Sequence, residues 1–97
     1  MTKAEIVDEI SKETGLTKIE TKAVVDGVLT TIINAVAAGK RIELRGFGVF
    51  KSKVRKPRMA RNPKTGASVP LQQRAVPVFK PSPDFLKKVN NSNISND

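Results

Sequence analysis

Residues 46–66 read GFGVFKSKVRKPRMARNPKTG, and this run decides the fold. It holds seven Lys and Arg and no Asp or Glu. Gly46-Phe47-Gly48 is a turn leading into a strand. There Phe50, Ser52 and Val54 share one face, and Lys51, Lys53 and Arg55 share the other. Beyond Arg55 the apolar signal fades, and up to Arg74 only Met59, Val69 and Leu71 are sizeable apolar residues. Asn62-Pro63-Lys64-Thr65-Gly66 is a turn sequence in the middle of that segment. Its flanks are strand-like in composition, and a structureless loop of about twenty residues is uncommon in a small domain unless functional. The segment therefore reads as two strands reaching out from a body and joined at a tip near Pro63. Such an arm buries little of its own surface and is expected to move until a partner holds it.

Working outward, Arg41-Ile42-Glu43-Leu44-Arg45 alternates as a second strand. Before it, Thr2-Lys3-Ala4-Glu5 and Thr17-Lys18-Ile19-Glu20 are capping boxes, each opening a helix. The first helix carries Ile6, Val7 and Ile10 on one face and stops at Gly15, with Leu16 placed to close over it. The second carries Val25, Val28, Leu29, Ile32, Ile33 and Val36 as a continuous stripe and stops at Gly39. The pair, 3–38, resembles a helix-turn-helix reader only superficially. Its second helix is long, nearly neutral and poor in side chains suited to base edges, so a packing hairpin is favoured. After the arm, Val76, Val78 and Phe79 mark a strand over 75–80. Ser82-Pro83 then caps a helix over 83–89 with Phe85, Leu86 and Val89 on its apolar side. Residues 91–97 are polar and low in complexity, and disorder is expected there. The class is α+β, one domain over 1–90, with body strands 41–54 and 75–80 and an arm over 55–74.

The 97 residues contain eighteen Lys and Arg against nine Asp and Glu, a net charge of +9. Absent Cys rules out disulfides, thiol nucleophiles and thiolate metal sites, and absent His rules out an imidazole base. No constellation of acid, base and nucleophile is visible, so no catalytic residue, metal, cofactor or small-molecule substrate is assigned. The longest uncharged stretch, Gly27 to Gly39, is too short and too polar to span a bilayer. The first residues lack the pattern of a signal peptide, so a cytoplasmic location is expected.

Charge is also unevenly placed. Residues 1–39 carry a net −2 and residues 40–97 a net +11, and between Glu43 and Asp84 there are ten Lys and Arg without one acid. A solvated surface usually mixes signs, so this is a polyanion-binding face. Membrane lipid would call for a basic amphipathic helix, whereas this segment is rich in Pro, Gly and β-branched residues. An RNA-binding or protein-interaction module is the rival from other classes. With no Tyr or Trp there is no aromatic platform for unpaired bases, and a protein scaffold leaves the acid-free arm unexplained. Without arm and tail, about seventy residues remain for a core, near the limit for independent stability. The apolar stripe of the second helix and four Phe exceed what one short helix and three strands cover. A dimer joined through the second helices and sheets is expected, as a homodimer or as a heterodimer with a related chain.

The run 46–66 closely resembles the signature of the bacterial HU and integration host factor family. It has Gly46-Phe47, Phe50, Arg55, Arg58, a small residue at Ala60, Arg61-Asn62-Pro63 and Thr65 in the family's spacing. The helices and strands of the body also follow the family's order. Members often have Gly where this chain has Ala60, and Pro57 is expected to interrupt arm pairing locally. The resemblance implies an intertwined dimer with an α-helical hairpin base and a three-stranded antiparallel β-saddle per chain. To these it adds an extended β-ribbon arm and a short C-terminal helix. It implies binding to double-stranded DNA through the minor groove, with Pro63 wedged between base pairs to kink the duplex. Arg58, Arg61 and Asn62 would then lie in or near the groove, with Lys64 beside them at the tip. Lys53, Arg55 and Arg74 would meet phosphates, and Lys3 and Lys80 would touch DNA wrapped round the body. Leu29, Ile32, Val36, Leu44, Phe47, Phe50 and Phe79 would be core and dimer-interface residues. HU-like bending and compaction with low sequence specificity, in the nucleoid, is the first reading. A sequence-selective IHF-like bender for transcription or recombination is the second, and RNPKTG with Val78-Phe79-Lys80-Pro81 has some of its flavour.

Overall fold

The computed structural model describes residues 1–92; of the expected disordered tail, residues 93–97 lie outside this range. The chain divides into two compact units, one ending at Ala35 and the other starting at Val36. In the first, α1 (Lys3–Thr14) is followed by α2 (Lys18–Ala37), whose last two residues belong to the second unit. The Thr2 hydroxyl accepts from the Glu5 N–H at 3.3 Å, and Gly15 ends α1 in the left-handed region at φ +76°. At the next cap both directions of the capping box form. The Glu20 N–H donates to the Thr17 hydroxyl at 3.1 Å, and the Thr17 N–H donates to the Glu20 carboxylate at 3.3 Å. Two ion pairs tie the helices together, Lys3 to Asp26 at 2.7 Å and Lys18 to Asp8 at 3.0 Å.

In the second unit, β1 (Ile42–Leu44), β2 (Gly48–Arg55) and β5 (Arg74–Pro81) form an antiparallel sheet in the order β1-β2-β5. Between β1 and β2, Phe47 N–H donates to the Leu44 carbonyl at 2.9 Å. Gly46, at φ +82°, takes the third place of a type II turn, where a side chain would be strained. β3 (Arg58–Arg61) and β4 (Ser68–Leu71) make a separate two-stranded ladder. The Ser82 hydroxyl accepts from Phe85 N–H at 3.1 Å and opens α3 (Pro83–Asn90).

The interruption at Pro57 has a specific form. Both ladders keep one register, with Lys56 and Pro57 opposite Gln72 and Gln73 between them, so no residue is bulged. What changes is which pairs are hydrogen-bonded. Ser82 N–H donates to the Phe47 carbonyl at 2.9 Å, so the bonded residues of β2 are the odd-numbered ones, ending at Arg55. This leaves Pro77 and Pro81 at non-bonded positions on the edge strand, where a missing N–H costs the ladder nothing. Pro57 would be the next bonded residue and has no proton to donate. Beyond it the phase is inverted. Asn62 N–H donates to the Ala67 carbonyl at 2.8 Å, so the bonded residues of β3 are even-numbered and Pro70 is again at a non-bonded position.

Among the described residues the buried apolar side chains are few: Val7 and Val36. Much of the α2 stripe stays uncovered, with Ile33 66% and Leu29 45% exposed. In the second unit, Phe47, Phe50, Phe79 and Phe85 gather with ring centroids 4.7–6.3 Å apart, yet Phe47 is 45% exposed.

Candidate nucleic-acid interface

The tip of the arm is built by its own neighbours. The Asn62 side-chain oxygen accepts from the Lys64 N–H at 2.8 Å, an Asx turn closing around Pro63. The Asn62 carbonyl accepts from the Gly66 N–H at 2.7 Å, with Gly66 in the left-handed region at φ +73°. The Thr65 hydroxyl accepts from the Ala67 N–H at 3.2 Å. These bonds leave Pro63 exposed at the turn, with a rigid apolar ring and no N–H to satisfy. Asn62 is half-buried and its side-chain oxygen is engaged in the turn. Its amide donor is the part left for a groove, so its first task is to shape the tip.

The other residues assigned to DNA are spread along the same ribbon. Arg61 pairs with Ser68 next to the tip, and Arg58 pairs with Leu71 at the near end of the arm ladder. Arg55 and Arg74 face each other at the last rung of the saddle, with Lys53 opposite Val76 and Lys80 opposite Val49 further in. Lys53, Arg55, Arg58, Arg61, Lys64, Arg74 and Lys80 are exposed. Among the described residues none of them pairs with a carboxylate. Arg58 and Arg61 lie three apart on β3 and so face opposite sides, which makes both faces of the ribbon positive and lets its field attract and concentrate a polyanion.

Lys3 differs. It belongs to the other unit, and its ammonium is held by Asp26. The Lys3 hydrogen bond is the largest cause that holds the Asp26 carboxyl below the ordinary carboxylate range. A phosphate would have to replace that partner, so Lys3 is not a free cation waiting for DNA. Charge counting alone gave no sign of this, although the spacing of Lys22 and Asp26 along one helix offered a hint of local pairing.

The residues expected in core and interface fall into two groups. Val36 is buried, and Ile32 and Phe50 are half-buried. Leu29, Leu44, Phe47 and Phe79 remain exposed within the single chain. Phe85, expected only on the apolar side of the last helix, completes the aromatic cluster at 5.4 Å from Phe47. Its signal was Ser82-Pro83, which fixes where α3 starts and so which way its third residue faces. No helix among the described residues is long and apolar enough to cross a membrane.

A basic ribbon with an apolar proline at its tip, on a small α+β body, defines a DNA-binding protein of the architectural kind, not an enzyme. The chain belongs to the bacterial DNA-binding protein family that includes HU and integration host factor, and the family's model matches residues 1–90. Integration host factor subunit beta of Vibrio cholerae is 41% identical over 91 residues, covering 93% of this chain and 99% of that one. HU of Anabaena, solved as a cocrystal with DNA, superposes with a TM-score of 0.89 at 39% identity, over 95% of this chain and 100% of the other. A variant of HU from Thermotoga maritima gives 0.69 at 35% identity, covering 92% and 99%.

Proposed function

We propose that this protein is a dimeric, HU-like bender of double-stranded DNA with low sequence specificity, acting in the bacterial nucleoid. The carrying observation is the arm, an acid-free basic ribbon whose hydrogen-bonded tip presents Pro63. Two such arms, one per chain, would grip a duplex from both sides through the minor groove. Arg58, Arg61 and the Asn62 amide would enter the groove, where a narrow width deepens the negative potential. Pro63 would replace the stacking lost at an opened base step. Lys53, Arg55, Arg74 and Lys80 would neutralise phosphates, and with about six to ten phosphates contacted, the log–log salt slope is roughly −5 to −9. Bending costs on the order of 1–6 kcal/mol, offset by contacts along the flanks. The uncovered stripe of α2 and the exposed Phe47 support the dimer, since a second copy would bury both.

The selective reading has one observation in its favour, the 41% identity with an integration host factor subunit. Competition separates the two. Matched duplexes, one random and intact, one nicked or gapped and one carrying an IHF-like site, are compared at two salt concentrations. Preference for the nicked or gapped duplex is expected. Preference for the site would establish the selective factor, and equal weak binding to all three would leave the arm as a mere electrostatic tether.

A further inference from the structure

Met59 is one of two Met in the chain and is 63% exposed on β3, with no core to fill there. Its cross-strand partner is Pro70, at a non-bonded pair, and it shares its face of the ribbon with Arg61. No aromatic residue occurs between Phe50 and Phe79, so the arm has no ring of its own to cover the sulfur. Lys56, Arg58 and Arg61 are close in sequence, and among the described residues none of them pairs with a carboxylate. Their field concentrates small anions, hypochlorite among them, around an uncovered thioether. Oxidation turns such a side chain from flexible and apolar into polar and chiral. Little packing is lost by that change, because the side chain is mostly in solvent. What changes is the face that Arg61 presents.

We propose that Met59 is an oxidation site, and that its sulfoxide loosens the arm's hold on a duplex. The oxidant is of the hypohalous class. The sulfur lone pair attacks the chlorine of hypochlorous acid; an S–Cl bond forms, the Cl–O bond breaks and hydroxide leaves. Water then adds to sulfur through its oxygen, chloride departs and two protons are released. Sulfur has lost two electrons and chlorine has gained them. The new sulfoxide oxygen is an acceptor beside Arg61. There it competes for the guanidinium donors and meets the acceptors that line a minor groove. The loss of grip rests on the DNA-binding reading; the oxidation does not.

The test treats the full chain with limiting hypochlorite, reads each Met by peptide mass spectrometry and then measures affinity for a random duplex. Wild type oxidised at Met59 should bind about tenfold more weakly than untreated protein. Met59→Leu should keep its own untreated affinity after the same treatment. Met59→Gln, polar without any oxidant, should bind more weakly than Met59→Leu from the start. Saturating duplex should slow the oxidation of Met59. Unchanged affinity after oxidation at Met59, equal losses in wild type and Met59→Leu, or a Met59 that the duplex does not shield would overturn the proposal. An untreated chain that binds no duplex would overturn the DNA reading, and with it the loss of grip. Oxidation at Met59 is read by mass in either case, so the two failures are distinguishable.

Discussion

Pro63 is held by bonds it does not make. Asn62, Thr65 and Gly66 spend their polar groups on the turn, so the proline ring is set without needing a partner of its own. Gly48 shows the opposite case, a residue defined by what it lacks. A Cβ there would lie 2.5 Å from the Lys80 carbonyl oxygen and 2.6 Å from the Phe79 ring. Backbone cannot retreat as a side-chain end can, so Gly48→Ala should cost about 1–3 kcal/mol, read as a lower midpoint in urea. An unchanged midpoint would mean that β2 and β5 shift apart freely at that rung. Asn62 was legible as part of a turn sequence, but the bonds it makes there were not, because a turn's hydrogen bonds depend on backbone angles that residue type only biases.

At the scale of elements, both capping boxes, the stop at Gly15 and the cap at Ser82 were readable because each is a local contest between side chain and backbone. The break at Pro57 was readable too, but the change of face beyond it was not read. Its signal lay in the prolines. Pro70 and Pro77 both need an outward-facing position, yet they differ by an odd number of residues, so one uniform ladder cannot satisfy both. Each proline alone is compatible with an edge strand, and the pairing of β4 and β5 with their partners is non-local, so the conflict is not visible locally.

The helical hairpin has a pH dependence of its own. The Asp8 carboxyl is held below the ordinary carboxylate range by hydrogen bonds from Lys18 first and Lys12 second. Glu20 is held there by the Thr17 hydroxyl and N–H. With Asp26 lowered as well, all three bind protons less readily folded than unfolded. Their stabilisation is therefore present above the ordinary carboxylate pKa and is lost as pH falls through the folded values, below about pH 4. Helical circular dichroism during thermal melts should show a Tm that falls over that range, and by less in high salt, since these pairs are exposed. A Tm independent of pH there would contradict the pairing.

On the scale of the whole molecule, many large apolar side chains among the described residues stay exposed, Ile33, Val28 and Phe47 among them. Among the described residues only Val7 and Val36 are buried apolar side chains, a small core for a chain of this size. Sedimentation equilibrium should give twice the 10.6 kDa chain mass. Leu29→Asp, on the exposed part of the α2 stripe, should shift the protein toward monomer and unfolding together. A stable wild-type monomer would contradict the dimer. The expectation of a partner surface comes from the sequence, where the stripe and four Phe exceed what one short helix and three strands cover, and the dimer itself awaits that measurement. Which residues stay exposed was not legible, since exposure depends on non-local packing that residue type does not fix.

The most direct measurement compares the bend of a short duplex, read by energy transfer between its two ends, with saturating wild-type protein and with Pro63→Ala. A wedge at the arm tip requires a sharp bend with the wild type and a clearly smaller one with the variant, while affinity falls much less. An unchanged bend with Pro63→Ala, or no bend with either protein, would contradict it.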